Sequence, residues 1–110
     1  MTILKNKLQK QEFKLRKEKI KKISFDNVRI HNEMKSCQNE MKVILQEYSK
    51  DFNPDKFHIS LSKDNRKCLQ RNGVLVEYLN LSNSYYHHTD LFHSNLRKIK
   101  RIHSVDFPDY

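Results

Sequence analysis

Residues 34–48 read MKSCQNEMKVILQEY, and this stretch decides the fold. Met34, Cys37, Met41, Ile44 (with Leu45) and Tyr48 follow one another at steps of three and four, which puts them on one face of a helix. Asp26 or Asn27 is suited to cap its start, and Asn53-Pro54 to end it. The expectation is an amphipathic helix that packs on protein through its apolar stripe. A functional coiled coil calls for more heptads than this stretch supplies.

Upstream, no glycine or proline occurs between Met1 and Asn53, and strong helix formers fill residues 4–22. Leu4, Leu8 and Leu15 share a face that Phe13 and Ile20 leave, and lysines are expected on all sides. Charge is laid unevenly along the chain. Residues 1–24 hold nine basic and two acidic residues, net +7; residues 25–55 are net −2, and residues 56–110 net +4. The organisation expected is a basic helical arm over 1–24, followed by a small helical and irregular domain with a C-terminal tail over 25–110. A helix so basic suits phosphate backbone as its partner. A membrane-surface helix needs a cleaner apolar face.

Downstream, Phe57 to Leu61 alternates as a short strand or extended segment does. Ser62 to Gly73 is polar and basic and is expected to be a loop around Cys68. Val74 to Leu81 fits either strand or helix. Thr89-Asp90 starts a last helix running to His103, with Phe92, Leu96, Ile99 and His103 on one face. The fold class expected is mainly α: a basic N-terminal helix, a second amphipathic helix, an extended loop segment and a short C-terminal helix, with little independent core.

Composition agrees with that thin core. Of 110 residues 36% are hydrophobic and 32% charged, the net charge is +9, and mean hydropathy is −0.90. A free chain of this kind frays at its ends, so an ordered state is expected within a larger assembly. No apolar run exceeds three residues (Val43-Ile44-Leu45 and Val74-Leu75-Val76), which excludes a helical membrane span. Two cysteines, Cys37 and Cys68, do not make a disulfide scaffold. A single glycine, Gly73, excludes a Gly-rich phosphate loop. Alanine is absent while lysine reaches 16 and asparagine 10, the mark of a very AT-rich genome such as an organellar, ciliate or parasite one.

Chemistry-bearing constellations are few. His87, His88 and His93, with Asp90, form the one histidine cluster, but no CxxC accompanies it, so no metal is expected. Cys68 between cations reads as a packed thiol, and the acids appear scattered, so neither a catalytic site nor a cofactor nor a small-molecule substrate is expected. Aromatics interleave with the basic C-terminal half: Tyr78 and Phe92 as core, Tyr85-Tyr86 in a more open setting. The candidate RNA-binding residues fall in three groups. The arm supplies Lys5, Lys7, Lys10, Lys14, Arg16, Lys17, Lys19, Lys21 and Lys22. The Cys68 segment supplies Arg66, Lys67 and Arg71, and the last helix Arg97, Lys98, Lys100 and Arg101.

The order of these parts resembles small-subunit ribosomal protein fourteen of the organellar, zinc-free type. Phe13-Lys14-Leu15-Arg16-Lys17-Glu18-Lys19-Ile20-Lys21 is similar to that family's aromatic-x-Leu-Arg-x-x-x-x-Lys helix. Leu61-Ser62-Lys63, then Asn65-Arg66-Lys67-Cys68 through Gly73, is similar to its Leu-Ser-Lys and Asn-Arg-x-Cys stretch. Glu77-Tyr78-Leu79-Asn80-Leu81-Ser82-Asn83 echoes its Tyr-x-x-x-Ile-Ser-Arg segment, with Asn83 where arginine is expected. Leu96-Arg97-Lys98-Ile99-Lys100-Arg101 is similar to its closing helix. The family's Gly-Arg-Pro-Arg after the cysteine is missing, and a tail follows Arg101. The resemblance implies a structural, non-catalytic protein of the small-subunit head, bound to rRNA and touching neighbouring proteins three, ten and nineteen. The arm also resembles a mitochondrial targeting segment, having no acid before Glu12, and the chain is expected to act in the mitochondrial matrix, either imported with Met1 retained or made where it works. The alternatives are an accessory structural subunit of an organellar protein complex, held by protein contacts, and a small free nucleic-acid-binding regulator.

Overall fold

The computed structural model describes the backbone of residues 2–104 and the side chains of residues 7–103. The chain is mainly α-helical. Helix α1 spans Thr2–Tyr48, a 3-10 turn spans Pro54–Lys56, α2 spans Lys63–Arg71, and α3 spans Leu75–Ser104. The molecule is a rod of 74 × 22 × 18 Å. A helix of 47 residues is itself ~70 Å long, so α1 sets the long dimension.

Helices α1 and α3 form an antiparallel hairpin. Along α1 the residues Ile20, Ile23, Asn27, Ile30, Met34, Cys37, Met41, Ile44 and Tyr48 recur at strict three-four spacing, and each is buried or half-buried. Val74, at the entry to α3, and Tyr78, Leu81, Tyr85, His88, Phe92, Asn95, Ile99 and Ile102 along it do the same. These are the a and d positions of a two-stranded coiled coil. The Asn27–Asn95 hydrogen bond fixes the register, which pairs Ile44 with Tyr78, Met41 with Leu81 and Ile23 with Ile99. The densest packing lies at the connected end, where Met41, Ile44, Leu45, Leu69 and Tyr78 form the core cluster.

Several sequence expectations are corrected here. The arm and the 34–48 helix are one element, since no breaker stands between them; Asn27, expected as a cap, is a buried seam residue. The helix ends at Tyr48, before Asn53-Pro54. The chain turns at Asp51, whose φ of 58° lies in the left-handed region that aspartate tolerates. Asn53 instead caps the 3-10 turn, accepting the Asp55 N–H at 3.0 Å.

Ser62 to Gly73, expected as a loop, contains α2. Ser62 Oγ accepts the Asn65 N–H at 3.2 Å at its start. At its end the Val74 N–H reaches the Leu69 carbonyl and the Gly73 N–H the Gln70 carbonyl, a Schellman closure that needs the φ of +72° at Gly73. Leu75–Leu81 is helical, and the last helix begins at Leu75 rather than at Thr89-Asp90, so it is long rather than short. Phe57–Leu61 is non-helical, with a bend at Ile59-Ser60, and no strand occurs among the described residues. It is held by the Tyr78 hydroxyl, which donates to the Ile59 carbonyl at 2.6 Å. Leu4 and the tail residues Asp106 to Tyr110 lie outside the residues whose side chains are described.

Candidate nucleic-acid interface

The hairpin register places Ser104 opposite residue 18 of α1. Helix α1 therefore continues for about sixteen residues, ~24 Å, past the last described residue of α3. The cations of this overhang are not spread evenly. Lys7, Lys10, Lys14, Lys17 and Lys21 recur at three-four spacing and form one exposed stripe. Lys19 and Lys22 are exposed on other sides, and Arg16 is half-buried in line with the seam. The Lys17 ammonium stands 5.8 Å above the Phe13 ring, which leaves that phenyl exposed but covered on one face by charge. The Lys5 side chain lies outside the described residues.

At the base of the stripe the register brings the second basic group alongside. Arg97, Lys98, Lys100 and Arg101, all exposed, lie beside residues 21–25 of α1. Two groups far apart in sequence thus meet at one end of the rod. Among the described residues Asp26 and Glu18 are the acids near this junction, against which the grouped cations make a net positive surface.

The third group is elsewhere. Arg66, Lys67 and Arg71 are exposed on α2, at the connected end. Lys67 and Arg71 line an open cleft with Lys50, Asp51, Asp64 and Cys68, in which two carboxylates balance much of the charge. Residues 22 and 48 of α1 are ~39 Å apart along the rod, so the α2 cations at the connected end form a separate patch.

Sequence reasoning missed the polar residues that hold the two helices in register. The Asn95 amide donates to Asn27 Oδ1 at 2.8 Å, and the Asn27 amide donates to the Phe92 carbonyl at 3.3 Å. One layer further, His88 pairs with the Glu33 carboxylate through Nε2, and its Nδ1 faces the Ser84 carbonyl at 2.7 Å. Cys37 Sγ donates to Ser84 Oγ at 3.6 Å, and Arg29 joins Glu33 at 3.4 Å. Searching for apolar residues at helical spacing passes over Asn27, His88 and Asn95. The signal that finds them is the unbroken three-four spacing on both sides.

The histidine cluster is divided by this arrangement. His88 turns into the seam, while His87 and His93 stay exposed. Among the described residues no three His, Cys, Asp or Glu side chains are grouped to hold a metal ion. Tyr78 is fully buried, and desolvation together with nearby Tyr86 pushes its hydroxyl up to about 12. Tyr85 packs in the seam against Tyr86, ring centroids 5.8 Å apart, and Tyr86 is exposed. Phe92 rests against His31 at 6.0 Å. No helix among the described residues is long and apolar enough to cross a membrane. No family model, curated protein or solved structure matches the chain.

Proposed function

We propose that this protein is a non-catalytic structural component of the small ribosomal subunit of mitochondria, anchored to rRNA of the head by lysine and arginine contacts to phosphates. The observation that carries the reading is the lysine stripe of the overhang with the Arg97–Arg101 group at its base. A row of exposed ammonium groups on a rigid rod gains free energy by releasing counterions from a phosphate backbone, and it has no comparable use in water alone. The resemblance of residues 13–21, 61–73 and 96–101 to ribosomal protein fourteen supplies the choice of ribosome and head, and with it proteins three, ten and nineteen as neighbours. The hairpin's part is mechanical: it holds the overhang straight and joins it to the second basic patch on α2.

The test is co-sedimentation of the native protein with the mitochondrial small subunit, before and after nuclease and across a salt series. Co-sedimentation that nuclease abolishes and salt weakens is the expected result. Migration with a membrane or respiratory complex, indifferent to nuclease, overturns the reading and assigns the chain to an accessory subunit held by protein contacts. Binding to free RNA with no subunit association overturns it in favour of a free regulator.

A further inference from the structure

The two broad faces of the hairpin differ in charge. With Ile20, Asn27, Met34, Met41 and Tyr48 as a residues, the g positions of α1 from residue 26 onward are Asp26, Glu33, Glu40 and Glu47, an acid every seventh residue. The opposite face, formed by the e and b positions of Lys17–Lys42 on α1 and Leu79–His103 on α3, carries no acid at all. Its half nearest the connection is already filled. Leu45 and Leu75, both e residues, pack with Leu69 of α2 and with Ile59 and Leu61.

Its other half is open. Ser24, Val28 and His31 of α1, with Phe92, Leu96 and Ile99 of α3, line a groove of ≈ 400 Å³, in which Val28 is 60% and Leu96 44% exposed. An isolated two-stranded coiled coil keeps apolar residues to its a and d positions. Apolar residues at b and e widen the stripe as helices in larger bundles do. From Ser24 to His31 the groove is ~10 Å long, room for about two turns of helix on the face that α2 covers further along. Its walls are almost wholly carbon, which suits a leucine-bearing helix better than a phosphate chain. Lys21, Lys35 and Lys100 border the same face.

We propose that this face receives an acidic amphipathic helix of a protein partner, which completes a three-helix bundle above α2. The groove's lining residues are not among the proposed RNA contacts, while Lys21 and Lys100 at its border are shared with them. The probe is a synthetic helical peptide of about 18 residues, with leucines at a, d and e and glutamates elsewhere, titrated against the full chain by fluorescence anisotropy. Two control peptides carry lysine in place of glutamate or alanine in place of leucine. The leucine–glutamate peptide is expected to bind at least about tenfold more tightly than either control. Leu96→Glu and Val28→Glu are each expected to remove that advantage, while Val43→Glu on the acidic face leaves it unchanged; circular dichroism confirms that all three stay helical. Equal binding of the alanine peptide shows charge capture by the arm and overturns the proposal. Indifference to both groove variants overturns it too. So does a dimer in sedimentation analysis that Leu96→Glu abolishes, which gives the groove to a second copy.

Discussion

The two ends of the rod are built on opposite principles. At the connected end Met41, Leu69 and Tyr78 are wholly buried, α2 closes over the seam, and caps fix each short element. At the other end the seam thins to half-buried Ile20, Ile23, Ile99 and Ile102, and α1 extends past the last described residue of α3 with lysines along one side. Apolar burial at ~25 cal/mol per Å² is concentrated at the first end, and mutual repulsion of cations at the second. One end holds the fold and the other presents the charge. The difference teaches that the overhang is free to be selected for binding, because almost no folding free energy is invested there.

Core truncation tests this most severely. Met41→Ala is expected to cost about 2–5 kcal/mol, from lost transfer free energy and the cavity left behind. Ile99→Ala, half-buried near the other end, is expected to cost less than half of that measured for Met41→Ala. Urea unfolding followed by circular dichroism gives both numbers, and equal costs break the contrast between the ends. Tyr78 offers a second probe of the closed end. Its neutral hydroxyl is favoured in the folded state, where the group titrates at about 12 instead of 10. The unfolded chain therefore releases this proton first, and the stability it contributes is full below pH ~10 and lost as pH rises to ~12, a fall of up to about 3 kcal/mol. Tyr78→Phe, though weakened by loss of the bond to Ile59, is expected to show a shallower alkaline decline. Identical alkaline curves would sink the assignment.

The middle of the seam sharpens the comparison. Asn27 is 6% exposed, and its amide is shared between Asn95 and the Phe92 carbonyl. Asn27→Ala leaves a half-buried Asn95 amide without its partner and is expected to cost about 1–2 kcal/mol. Replacing Asn27 and Asn95 together by leucine removes that cost and also the group that sets register, since a buried polar pair at a seam specifies alignment. Greater thermal stability with blurred proton NMR resonances is the expected result. A stable, single-register double variant would show that the caps at the connection suffice to align the helices.

Much of the architecture was legible in residues 34–48, because five spaced apolar side chains leave a helix no other face to bury. The mainly α class followed from helical spacing and the lack of breakers before Asn53, and the thin core from composition. The hairpin was not legible as long as each segment was read alone: Asn27, His88 and Asn95 are polar, and a stripe counted by apolar residues breaks at each of them. The α2 helix was hidden by its composition, although Ser62 and Gly73 mark both of its ends. The candidate cations could be read from charge runs, yet their grouping could not. That Arg97–Arg101 meets Lys21 and Lys22, while Arg66, Lys67 and Arg71 sit at the connected end, past the ~39 Å of α1 between residues 22 and 48, depends on the register of two helices and on nothing local. The acids, seemingly scattered, are ordered only once the a positions are known.

The smallest effect on stability belongs to the overhang. Lys10, Lys14 and Lys17 lie on one stripe and are exposed, Lys17 over the Phe13 ring. Their joint reversal to glutamate is expected to change unfolding free energy by no more than about 0.5 kcal/mol, because surface charges away from a partner contribute little. The same triple change is expected to block assembly into the subunit. It also lowers the slope of log affinity against log salt for RNA by about 2 to 3, the loss of three phosphate contacts. Reversal of Arg66, Lys67 and Arg71, where Asp51 and Asp64 already balance the cleft, is expected to lower that slope less. Equal loss from the two triple changes would mean that RNA is gripped along the whole rod, and the division between a folded end and a binding end would no longer hold.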